Sequence, residues 1–170
     1  MTTSQSRAAS AYASVNIESR ANSSSGAELV ILLIEGILDR VKLAKQAIAQ
    51  RDIMSKVKHM NKALEIISEG LRAHLDVAAG GELAQNLDDL YAYCSVRVLH
   101  ANARNDVQAL DEITNLLTPL LGAWITIRSG SNPGVGVQAL ADVTRTLKST
   151  VPSARRLYGS NAYASLAMGA

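Results

Sequence analysis

From Ile53 to Leu75 the apolar side chains Ile53, Val57, Met60, Leu64, Ile67, Leu71 and Leu75 recur at steps of four, three, four, three, four and four. This near-heptad spacing puts them on one face of a helix, and such a face is stable only against a second apolar face laid along it. Lys56, Lys58, Lys62, Glu65, Glu69 and Arg72 fall off the stripe, as on a wetted face, and Asp52 stands where a cap belongs. The rest of the chain offers no sheet to receive the stripe. All three prolines fall at position 119 or later, and no segment alternates cleanly over six residues. The partners must be other helices.

Three more can be read. The first spans about Ala27 to Gln50, with Ser25 as candidate cap and Glu28 three residues on. It opens as LVILLIEGIL, apolar nearly all round, and narrows to Val41, Ala44 and Ile48, which predicts a helix running through the middle of a bundle or under another element. Ala78-Ala79-Gly80-Gly81 reads as a turn. A third helix, from about Glu82 to Ala103, turns Leu83, Leu87, Leu90, Cys94, Val98 and Ala101 inward. A fourth follows Arg104-Asn105-Asp106 and buries Val107, Leu110, Ile113, Leu117, Leu120 or Leu121, and Trp124, with Pro119 expected to kink or break it.

Helices of twenty-odd residues, each roughly 30 to 35 Å long and joined by short loops, pack antiparallel. The expected fold is all-α: an up-and-down four-helix bundle over residues 27–128, preceded by a mobile segment, 1–26. The stretch from 129 to 170 reads as a Ser-Gly-Ser-Asn-Pro-Gly linker, a short candidate fifth helix over Val137 to Thr150 with Leu140, Val143 and Leu147 on one side, and a flexible tail.

Composition narrows the function classes. A single cysteine, Cys94, excludes a disulfide framework and a zinc finger and fits a reducing compartment, the cytoplasm. The longest apolar run, Leu29 to Ile34, is too short to span a bilayer, and the start of the chain has no signal-peptide character, so neither secretion nor membrane insertion is expected. Charge divides as +1, −3 and +4 over residues 1–27, 28–127 and 128–170. The basic end is too sparse and too poor in aromatics to read as a nucleic-acid surface. None of His59, His74 or His100 has a glutamate three residues before it, so the di-metal pattern of helix bundles is missing, and Cys94 falls in a core stripe. Neither a metal nor a cofactor is expected, and nothing supports an enzyme.

The third helix carries more polar and aromatic material than a solvent face needs: Asn86, Tyr91, Tyr93, Arg97, Asn102 and Asp106. One reading makes the tyrosines boundary residues and Asn and Asp caps; the other makes a groove that reads a partner peptide.

A wider pattern then becomes legible. An N-terminal Ala11-Tyr12 and Glu35-Gly36 are followed by Gly80-Gly81-Glu82-Leu83, Asn86-Leu87, Leu90-Tyr91, Tyr93, Arg97, Ala101-Asn102 and Asn105-Asp106. A Leu-Leu pair then stands five residues before Ala123-Trp124. From residue 10 to about 128 this resembles the FliS family of flagellin export chaperones. The resemblance implies a cytoplasmic protein that binds the disordered C-terminal segment of flagellin, prevents premature polymerisation and delivers it to the flagellar type III export gate. Oligomeric state is left as monomer or weak homodimer.

Carried onto this chain, the flagellin-binding residues are Asn86, Leu90, Tyr91, Tyr93, Arg97, Leu99 and Asn102, with Leu29, Leu33 and Ile37 as candidate groove floor. Tyr12, Val15 and Ile17 would form a removable lid. The chain departs from the family in Pro119 and in its longer C-terminal end. That end repeats the Ala-Tyr-Ala-Ser tetrad around Tyr12, which makes Tyr163 and Leu166 a candidate second lid. The competing reading is a helical adaptor for a different protein partner.

Overall fold

The computed structural model describes residues 23–130 and 133–150, and every element in them is helical. Helix α1 spans Ser23–Ala49 and α2 spans Ile53–Glu65, continued by a π-helical segment, Ile66–Arg72. Helix α3 spans Val77–Arg104, α4 Val107–Ser129 and α5 Pro133–Thr150. The lid residues Tyr12, Val15 and Ile17 and the tail residues Tyr163 and Leu166 lie outside the described residues.

Capping fixes where the elements start. Asp52 accepts from Ser55 N at 3.0 Å, Asp76 from Ala79 N at 2.9 Å and Asp106 from Ala109 N at 3.1 Å, three aspartates each satisfying an otherwise orphaned donor of a first turn. Asn105, at φ 52°, closes α3 in the left-handed conformation, and Gly130 does the same for α4. Helix α1 begins earlier than the sequence suggests, so Ser25 lies inside it rather than at its cap. Serine and glycine cost a helix at most about 1 kcal/mol each, and burial of Ala27, Val30 and Ile31 just beyond carries the added turn.

Around the bundle, α1 packs on α2 and α4, and α3 packs on α2 and α4, while α1 and α3 make no contact. The four form a square in chain order with α1 and α3 on a diagonal. Its centre holds Ile34, Ile37, Leu71, Leu87, Tyr91, Leu110, Ile113, Leu117 and Leu120, all essentially without solvent exposure. Helix α5 adds a fifth member on the α3–α4 edge and touches neither α1 nor α2.

Several local expectations change. Helix α1 is not the central one: Glu28, Leu29, Leu32, Glu35, Asp39, Lys42 and Gln46 face water along its length. The enclosed helix is α3, where all seven residues from Leu90 to Val96 are buried, because α5 supplies cover that a bundle of four lacks. On α2 the stripe holds from Met60 to Leu75, but Ile53 is exposed and Val57 half-buried, while Lys56 is buried. Its ammonium donates to Asn102 O and Asn105 Oδ1, at 2.9 and 2.7 Å, where the last carbonyls of α3 favour a cation. Val107 is half-buried. Pro119 breaks nothing: α4 continues through it, with the ring on the exposed side.

The second helix ends earlier than its stripe. After the π segment the chain leaves helical geometry, and Asp76 caps a single turn, Val77 to Gly80, before Gly81 at φ 60°, ψ −140° re-aims the chain into the long part of α3. The Gly80-Gly81 turn is therefore a bend within the approach to α3 and not the end of α2. In the π segment Gly70 lets the chain approach α1: a Cβ there would stand 2.9 Å from Leu33 Cδ2.

Candidate functional site

The polar residues of α3 sort by neighbour. Tyr93 is buried and its hydroxyl donates to Glu112 Oε1 on α4, while Arg97 Nε lies 2.7 Å from Glu112 Oε2. One carboxylate thus gathers two α3 side chains, four residues apart and so on one face, and ties α3 to α4. Burial first, then the hydrogen bond to Glu112, pushes the Tyr93 phenol above its ordinary value, so it stays a neutral donor. Next to it, the fully buried Cys94 thiol is pushed up to about 12 by burial and, secondarily, by the Glu112 charge. At neutral pH this thiol is a core group and not a nucleophile.

At the other end of α3, Asn86 is buried and its Oδ1 accepts from Lys148 Nζ of α5 at 2.9 Å. Two residues further along, on the opposite side of α3, Asp88 pairs with Arg72 of the π segment, Nε to Oδ1 at 2.8 Å and Nη2 to Oδ2 at 3.3 Å, a two-point contact that fixes the rotation of α3 against its neighbour. His100 lies 3.3 Å from Asp106 Oδ2.

The residues singled out in the sequence do not come together as a single surface. Tyr91 and Ile37 are at the centre of the core. Leu90 is buried, as are Tyr93 and Asn86. Asn102 is half-buried and gives its carbonyl to Lys56. Leu99 is 39% exposed. On the diagonal helix, Leu29 is 38% exposed, Leu33 is half-buried and a Cβ on Gly70 would meet it, and Leu32, which the sequence reading passed over, is 58% exposed.

Glu112, Lys148 and Lys56 were also missed. Each is a charged residue on an ordinary helical pattern, and its role comes from a partner on another helix that no spacing rule specifies. Among the described residues, no group of three His, Cys, Asp or Glu side chains is placed to hold a metal, and no helix is long and apolar enough to cross a membrane.

Comparison with known proteins places this bundle. The family model described as flagellar protein FliS matches residues 8–131. The flagellar secretion chaperone FliS of Salmonella typhimurium is 41% identical over 114 residues, covering 67% of this chain and 84% of that protein. The FliSB chaperone of Pseudomonas aeruginosa is 40% identical over 113 residues, 66% of this chain and 89% of its own length. The FliS of Bacillus subtilis is 31% identical over 103 residues, 61% of this chain and 75% of its own. The matched stretch contains α1 to α4; α5 begins beyond it.

Proposed function

Because this chain belongs to the FliS family of flagellar secretion chaperones, a family of binding proteins and not of enzymes, we propose that its client is the C-terminal segment of flagellin. On this reading it holds that segment in the cytoplasm, prevents its polymerisation and hands it to the flagellar type III export apparatus. The observation that carries the reading is the match of the entire square of four helices to a family of secretion chaperones, from before α1 to beyond the end of α4.

The geometry suits a client without a fold of its own. Exposed apolar side chains occur at Leu29 and Leu32 on α1, Ile53 and Met54 on α2, Leu99 on α3 and Ile125 on α4, so every corner of the square carries some. A compact partner on one face of the square leaves those on the other faces uncovered. An unfolded segment can wrap from one face to another, forming helix where it meets apolar surface, at the cost of its own ordering. Asn86, Leu90, Tyr93 and Arg97 then set the shape and register of the α3–α4 edge, with Tyr91 and Ile37 supporting it from the core and Asn102 on the side of α3 that meets α2.

Calorimetric titration of the full chain with a synthetic flagellin C-terminal segment tests the proposal. Saturable binding is expected, weakened about tenfold or more by Leu99→Asp with helix content unchanged, as for a contact in a desolvated patch. Absence of any heat or of any shift in melting temperature would overturn it.

A further inference from the structure

Helix α5 lies outside the stretch that matches the family, yet it is docked on α4 and on α3, the helix that carries most of the proposed client-binding residues. Its inner face puts Val137 and Leu140 into the core, with Ala139, Val143 and Leu147 packed beside them, and four of its residues at constant spacing mark the line of contact. Gly136 sits against the last turn of α4, so closely that a Cβ on it would stand 2.7 Å from Ile127 Cγ1, 2.9 Å from Ile127 N and 3.1 Å from Ile127 Cα. Leu140 and Thr144 are buried, and Lys148 reaches Asn86 on α3. The helix therefore crosses from α4 to α3, with a glycine, a leucine, a threonine and a lysine four residues apart.

We propose that α5 is a built-in stand-in for a client helix: it occupies the α3–α4 edge when no client is present, and an amphipathic helix of the flagellin C-terminal segment displaces it. The proposal rests on the functional reading above and adds a competitor to it. Three observations argue for a displaceable occupant and not a fifth structural helix. The square of α1 to α4 has all four of its sides without α5, which covers only the α3–α4 edge. Its contact face mixes apolar residues with a threonine at a buried position, whose hydroxyl turns back to Ala141 O of the same helix. And Lys148 is exposed, so its hold on Asn86 can be exchanged for water or for a client donor.

Tethering makes such a weak occupant effective. Only residues 130–132 separate α5 from the end of α4, so its local concentration at the edge is high. A client that needs the edge free binds with its affinity reduced by the fraction of molecules in which the edge is open.

The test uses the full chain carrying Gly136→Leu. The new side chain meets backbone at Ile127, which cannot move aside as a side-chain tip can, while leucine keeps α5 itself a good helix former. Amides from 137 to 147 should lose hydrogen-exchange protection relative to the wild type, and the flagellin segment should bind about tenfold more tightly or better, as expected if α5 is docked at least nine-tenths of the time. Leu140→Asp should act in the same direction, and an unreactive Cys94 thiol in both variants verifies that the bundle is intact. Unchanged affinity with α5 released would overturn the proposal, and so would weaker binding, which would make α5 part of the client site. If the segment binds neither wild type nor variant, the functional reading fails, and α5 has no client to compete with.

Discussion

Lys56 carries its ammonium to the end of a different helix, where it neutralises carbonyl charge and holds the left-handed Asn105 in place. In the sequence it reads as one more wetted lysine beside Lys58 and Lys62, because a helical period reports only which side of its own helix a residue occupies. The same limit hid Glu112. Its sequence neighbourhood explains an acid on α4, but that this acid binds both Tyr93 and Arg97 depends on how α3 and α4 are rotated against each other. Cys94 was legible, since its place in an apolar stripe already implied an inert thiol. Its titration gives a signed prediction. The folded chain holds a proton up to about pH 12 that an unfolded chain releases near 9, so this contribution to stability is intact below about pH 9 and falls as pH rises toward 12. Tyr93, raised in the folded state as well, acts in the same direction at higher pH. Urea midpoints measured from pH 8 to 11 should fall more steeply for the wild type than for Cys94→Ala; equal slopes would show that the thiol is not held protonated by the fold.

At the scale of elements, the sequence marks helices well and their joints poorly. The four amphipathic stretches, the caps Asp52 and Asp106 and the existence of a short fifth helix all follow from period and local chemistry. The π segment does not, because one extra residue per turn over Ile66–Arg72 leaves the apolar residues Ile67 and Leu71 at an ordinary four-residue step. Gly81 was readable as a break but not as a bend between a capped turn and α3. Its φ and ψ of 60° and −140° belong to a region essentially reserved for glycine, and the space around its missing Cβ is open, so any cost of substitution is conformational and not steric. Gly81→Ala should destabilise the chain by about 1–3 kcal/mol in urea unfolding without altering the core. A neutral result would mean that the bend straightens freely and that Asp76 and its turn do not set the direction of α3. Pro119 failed as a break because α4 is anchored on both sides of it, by Leu116 and Leu117 before and Leu120 and Trp124 after.

For the whole molecule, the square of helices and the family follow from residues spread over most of the chain, and both were legible before any coordinates. The composite surface was not. The residues picked as one groove divide between core, hydrogen bonds from α3 to α2, α4 and α5, and two exposed leucines, Leu29 and Leu99, on diagonal helices. The fifth helix, read only as part of an extension, lies on α3, the helix where the partner was expected, and on α4, which the expected groove did not include. On the proposal above, the client competes with part of the chain that binds it. Hydrogen exchange on the full chain, with and without a saturating flagellin C-terminal segment, tests that claim most directly. The account predicts slower exchange in the flagellin segment as it becomes helical, together with faster exchange in α5 between residues 137 and 147. Exchange that stays the same in both chains, or that slows in α5, would contradict it.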